Sequence, residues 1–117
     1  MLKHRYRLTK RGSFTYVYNK GERKSGRLLS LVYVSGKNLK IGFSVSNKVG
    51  KATVRNRLKR RLRAYTRELI PGLRPAQIVL AARPGAEVFT YGELTGAVRE
   101  LFVRAKLLGG GAQSGGG

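Results

Sequence analysis

No cysteine or aspartate occurs among the 117 residues, and there is a single histidine. Without thiols the chain can form neither a disulfide nor a thiolate zinc site, which fits a reducing compartment. The five acids are all glutamates, Glu22, Glu68, Glu87, Glu93 and Glu100, scattered with no plausible pair. The carboxylate cluster that would hold Mg²⁺ for phosphodiester chemistry is therefore missing. A general base needs an orienting partner, and the lone His4 near the chain start has none in view. Neither a catalytic residue nor a protein metal site is expected. No apolar run approaches the ~20 residues that span a bilayer. The opening residues, MLKHRYRLTKRGSF, lack the apolar stretch of a signal peptide. The expected location is the cytoplasm, with no membrane partner.

Positive charge is what the chain has in excess: 25 lysines and arginines against 5 acids, a formal net charge of +20. Such self-repulsion is tolerable mainly when a polyanion neutralises it. The charge peaks over residues 48–63, KVGKATVRNRLKRRLR, where a glycine-containing basic loop runs into a helix expected over Thr53–Leu69 and stopped by Pro71-Gly72. Val54, Leu58, Leu62, Tyr65 and Leu69 fall on one stripe, which a helix must bury. Asn56, Lys59, Arg60, Arg63 and Arg67 fall opposite, with Arg55, Arg57 and Arg61 on the flanks. One side suits a core; the other is a row of forked donors suited to phosphate. Many charge runs are only solvated faces. Here Glu68 is the first carboxylate after Glu22, and uncompensated like charge on a helix is destabilising until a partner neutralises it. Val49-Gly50-Lys51-Ala52 lacks the glycine spacing and the Lys-Ser/Thr ending of a phosphate loop.

An apolar fraction of 41% supports a modest core in one domain over residues 1–108. Residues 1–8 read as a basic arm. A short helix is expected over Thr9–Lys20, with Phe14, Val17 and Tyr18 on one face and Gly21 at its stop. Residues 21–27 read as a polar connection that has room for a short strand, and residues 28–35 as a strand. After a turn at 35–38, LKIGFSVS alternates: Leu39, Ile41, Phe43 and Val45 point one way, Lys40, Gly42, Ser44 and Ser46 the other. That second face is nearly bald, which suits either close approach of a ligand or plain solvent. QIVLAAR, 77–83, reads as a buried central strand. The final helix begins at Thr90, where Thr90 and Glu93 make a capping box and Phe89 and Leu94 sit as a hydrophobic staple. Its apolar stripe is Leu94, Val98, Leu101, Phe102, Ala105 and Leu108. GGGAQSGGG, 109–117, can bury nothing and is expected to be disordered. The order is helix, two or three strands, helix, strand, helix: a small α+β or α/β sandwich with a mixed sheet.

A DNA-reading helix is usually half of a helix-turn-helix, whereas a strand and a basic loop precede this one. Single-stranded nucleic acid is held by positive grooves carrying aromatic rings. Phe14 and Tyr18 are candidate platforms, with core packing the equal alternative; Tyr33 is a weaker one.

R-N-R at Arg55-Asn56-Arg57, continuing as L-K-R-R-L-R to Arg63, follows G-F-S-V-S-N-K-V-G at 42–50, and R-L-x-x-x-x-x-F-x-x-V-Y spans Arg7–Tyr18. In these motifs and their order the chain resembles the protein subunit of bacterial ribonuclease P over about residues 3–106. The resemblance implies an αβββαβα fold with a mixed four-stranded sheet, helices mainly on one face and a left-handed βαβ crossover. It implies a ribonucleoprotein that removes the 5′ leader of precursor tRNA, in which a catalytic RNA and the substrate hold Mg²⁺, and no obligate protein partner. By position, Lys48, Lys51, Arg55, Asn56, Arg57, Lys59, Arg60 and Arg63 would meet the RNA subunit. Phe14, Tyr18, Lys40 and Ser44 would line a cleft for the leader. The family often places an aromatic where this chain has Val32, next to Tyr33. Either the register differs by one residue or the leader loses one ring contact. The competing reading is a structural RNA-binding protein such as a ribosomal protein; the missing acids disfavour a protein-only nuclease.

Overall fold

The mostly apolar segment 76–82 forms an inner strand of a four-stranded sheet. A computed structural model describes residues 6–8, 11–26 and 28–108. In chain order the elements are α1 (Arg11–Lys20), β1 (Glu22–Ser25), β2 (Leu29–Ser35), β3 (Lys40–Val45), α2 (Ala52–Leu69), β4 (Ala76–Ala82) and α3 (Tyr91–Arg104). The sheet order is β1-β2-β4-β3. β1 pairs antiparallel with β2, β2 antiparallel with β4, and β3 parallel with β4. β4 is thus an inner strand, as its near-continuous apolar run suggests. The parallel β3–α2–β4 unit is the crossover to which the resemblance assigns a left hand. The first helix begins at Arg11; the expected Thr9 and Lys10, residues 1–5 of the arm and the tail 109–117 lie outside the described residues.

Alternation divides the core between the two sheet faces. Leu29, Leu31, Ile41, Val45, Ile78 and Leu80 join Leu58 and Leu62 of α2 and Leu94, Val98, Leu101 and Phe102 of α3. On the opposite face Leu8, Val17, Val32 and Val79 form a second, smaller cluster with Phe14 and Val34. α2 and α3 therefore share one face and α1 lies across part of the other. The arm is tied down where it is described: Leu8 N–H donates to the Ile41 carbonyl at 2.9 Å, beside a bridge between Arg7 and Ile41.

Helix ends follow their local chemistry. In α3, Thr90 Oγ1 accepts from the Glu93 N–H at 3.1 Å and Glu93 Oε1 accepts from the Thr90 N–H at 2.9 Å, a complete capping box. Its buried stripe runs from Leu94 to Ala105 as expected, with Leu107 buried and Leu108 half-buried beyond the helix end.

Candidate nucleic-acid interface

Helix α2 docks by the stripe read from its sequence. Leu58, Leu62 and Leu69 are buried, and Val54 and Tyr65 are half-buried against the same core. Thr66 also faces inward, fully buried, and its Oγ1 has no hydrogen-bond partner. Its polar type hid it from a count of apolar positions. On the other side Asn56, Arg57, Arg60 and Arg67 are exposed, and Lys59, Arg61 and Arg63 are half-buried. Arg63 lies over the Phe43 ring, 6.0 Å from its centroid, so this guanidinium is held by a cation–π contact. Among the described residues no carboxylate makes an ion pair with Arg57, Arg60, Arg61 or Arg67. Glu87 borders a 170 Å³ cavity with Arg57 and Arg61, but its Oε1 accepts from the Gly85 N–H at 2.8 Å. The helix has no acidic residue in its first turn and no side-chain cap at Lys51. Its positive dipole end is left uncompensated beside the basic loop.

That loop has a defined shape. Val49 is buried and anchors it, while Lys48 and Lys51 on either side are exposed. Ser46 Oγ accepts from the Lys48 N–H at 3.1 Å, and the Ser46 carbonyl accepts from Val49 N–H at 3.0 Å, closing a 3₁₀ turn at Asn47–Val49. Gly50 has φ 156° and ψ −164°, a backbone region open essentially to glycine alone. A Cβ there would also come within 3.3 Å of Val54. Arg55, on the first turns of α2, turns back to this loop. Its Nε donates to the Gly50 carbonyl at 3.2 Å and its Nη1 to Asn47 Oδ1 at 3.1 Å.

The second candidate surface lies on the α1 side of the sheet. Pairing aligns three rows across β2, β4 and β3: Val34, Gln77, Lys40; then Val32, Val79, Gly42; then Ser30, Ala81, Ser44. Lys40 and Ser44 therefore lie on one face, as alternation predicts. The middle row is covered. The half-buried Phe14 ring rests on Gly42, where a Cβ would fall 2.5 Å from Phe14 Cζ. Glycine is needed at 42 for this close approach, so part of the bald face serves packing. Tyr18 is 38% exposed and Tyr16, which the helical-face reading passed over, is 48% exposed. Arg23 pairs with Val32 and is exposed on this face, a cation that alternation within β1 could have found. Lys40 also borders a 450 Å³ cavity with Tyr6, Asn38 and Leu39.

Val32, buried with Val79, lies on the α1 side of β2, while Tyr33 packs on the α2–α3 face. The register thus turns Val32, and not the Tyr33 ring, to the α1 side. Burial pushes the Tyr33 phenol up from its ordinary pKa, and the negative charge of Glu22 beside it, hydrogen-bonded to it, pushes the same way. Among the described residues no three His, Cys, Asp or Glu side chains converge as metal ligands, and no helix is long and apolar enough to cross a membrane.

Residues 2–106 match the ribonuclease P protein-family model. A ribonuclease P protein component from Symbiobacterium thermophilum is 42% identical over 92% of this chain and 96% of its own length. One from Pseudanabaena is 40% identical over 94% and 99%. Among solved structures, a Staphylococcus aureus RNase P protein superposes with a TM-score of 0.83 at 25% identity, covering 89% of this chain and 98% of that one. The RNase P protein from Thermotoga maritima, at 22% identity, shares the fold with a TM-score of 0.77. An arginine-faced helix carried on this sheet, matched along almost its whole length, places the chain in the ribonuclease P protein family.

Proposed function

We propose that the chain is the protein component of ribonuclease P, binding the catalytic RNA and the 5′ leader of precursor tRNA to promote endonucleolytic release of the leader. It is the non-catalytic subunit of a ribonucleoprotein endoribonuclease. The observation that carries this reading is the cationic face of α2, whose exposed arginines lack carboxylate partners among the described residues while its apolar stripe holds the helix to the sheet. Lys48, Lys51, Asn56, Arg57, Lys59, Arg60 and Arg63 form the surface offered to the RNA subunit. Phe14, Tyr18, Lys40 and Ser44, on the other face of the sheet, are the residues offered to the leader, with Tyr16 and Arg23 nearby. Mg²⁺ in this scheme is held mainly by the RNA and the substrate, and a cytoplasmic location goes with it. Family membership displaces the alternative of a ribosomal protein.

Reconstitution tests the proposal. The purified protein, added at low Mg²⁺ to a bacterial ribonuclease P RNA and a precursor tRNA, should stimulate cleavage at the mature 5′ end. Binding to the RNA should weaken steeply with salt as counterions are released. Absence of stimulation rejects the proposal, and cleavage by the protein alone would assign the chemistry to the polypeptide instead.

A further inference from the structure

Arg55 differs from the other arginines of α2. Arg57, Arg60 and Arg67 extend into solvent, whereas Arg55 donates through two guanidinium nitrogens to Gly50 and Asn47. These two acceptors lie on either side of the buried Val49 and bracket Lys48. The Gly50 carbonyl is set by an unusual backbone conformation, φ 156° and ψ −164°, which glycine holds only loosely by itself. Asn47 is exposed. A guanidinium is a planar fork that can fix two acceptors at a set separation, and an ammonium group is not.

We propose that Arg55 is a positioning residue. It clamps Asn47 and Gly50 so that Lys48 and Lys51 are held beside the first turn of α2 as one phosphate-binding unit, and it does not itself carry a phosphate contact. This inference rests on the reading of α2 and its loop as the RNA-binding surface. It changes the part assigned to the first arginine of the R-N-R motif: the resemblance implies that it meets the RNA, and its hydrogen bonds to Asn47 and Gly50 turn it toward the loop instead.

The test is equilibrium binding of the full chain to a bacterial ribonuclease P RNA transcript across a salt series, with thermal unfolding of each variant recorded. Asn47→Ala removes no charge and only one arm of the clamp. It should weaken binding and make the plot of log affinity against log salt shallower by up to about 1.5–2, toward the Lys48→Ala/Lys51→Ala variant. Arg55→Lys keeps the charge and loses the fork, so it should bind as poorly as Arg55→Ala. Adding Asn47→Ala to the double-lysine variant should cause little further loss, because the three side chains act as one unit. Should Asn47→Ala lower the unfolding temperature, Arg55→Lys at unchanged unfolding temperature carries the test. Wild-type binding by Asn47→Ala, with Arg55→Lys retaining affinity and slope, would mean that Arg55 meets phosphate directly and overturns the clamp. Additive losses would overturn it as well. A wild-type chain that fails to bind the RNA overturns the underlying reading, and the clamp with it.

Discussion

Tyr33 and Val32 are adjacent, and their side chains meet different chemistry because a strand alternates. Val32 is sealed under α1, and Tyr33 turns to the other face beside Glu22. A phenol whose folded pKa lies above its unfolded value of about 10 contributes stability below that pH and loses it as pH rises through the folded value. Tyr33→Phe should therefore narrow its stability deficit against the wild type between pH 9 and 11; denaturant unfolding across that range is the measurement, and a constant difference would contradict the assignment. Phe14 and Tyr18 make a second contrast. Phe14 is half-buried on Gly42, and Tyr18 is more open. Tyr18→Ala should reduce binding of precursor tRNA with a long leader by about 1–3 kcal/mol per lost stacked base and leave leaderless tRNA unaffected. Phe14→Ala should in addition lower the unfolding temperature, since its ring fills the small core. Equal losses with and without a leader would make Tyr18 a packing residue. The direction of a side chain in a regular element was legible from period alone. The fate of Arg55 was not, because its partners lie in a loop whose path no period describes.

At the scale of elements, most of the secondary structure was legible. The half-buried β3, the inner β4, the stripe of α2 and the capping box of α3 each have a local signature: period 2, a near-continuous apolar run, recurrence at 3 and 4, and a Thr–Glu pair. β1 was only half legible, since Glu22–Ser25 carries no apolar pattern and exists by pairing with β2. That α1 crosses the sheet face opposite α2 and α3 also needed the structure, since periodicity gives an apolar face but not its partner. The geometry of α2 separates a docking side from a cationic side. Arg60 is exposed and makes no ion pair among the described residues, so Arg60→Ala should weaken RNA binding and flatten its salt dependence by roughly one counterion without lowering the unfolding temperature. Arg63 lies over Phe43, so Arg63→Ala should lower both affinity and stability, the latter by about 0.5–1 kcal/mol. Binding isotherms paired with thermal melts check both, and identical behaviour of the two variants would mean that the cation–π contact has no weight.

For the whole molecule, charge is the dominant property. With a net charge of +20 and no acidic residue in the first turn of its most basic helix, the folded state confines like charges that the unfolded chain spreads apart. Added salt should therefore raise the unfolding temperature of the isolated protein, and sulfate should raise it more than chloride at equal ionic strength, through stronger exclusion and anion binding. The same salt weakens RNA binding, so the two quantities should move in opposite directions along one titration. A melting temperature indifferent to salt would show that self-repulsion is not a significant term.

The exposed guanidinium groups of α2 have a consequence for the stability of the polypeptide. Whatever binds the native state and not the unfolded one deepens the native well, and a polyanion docked on these groups does so while cancelling the repulsion. Without a bound polyanion the protein keeps the shallower well and should unfold more often. Limited proteolysis of the isolated protein should therefore run faster than that of the protein saturated with RNA, and equal rates would show that the docked polyanion adds nothing to the native well.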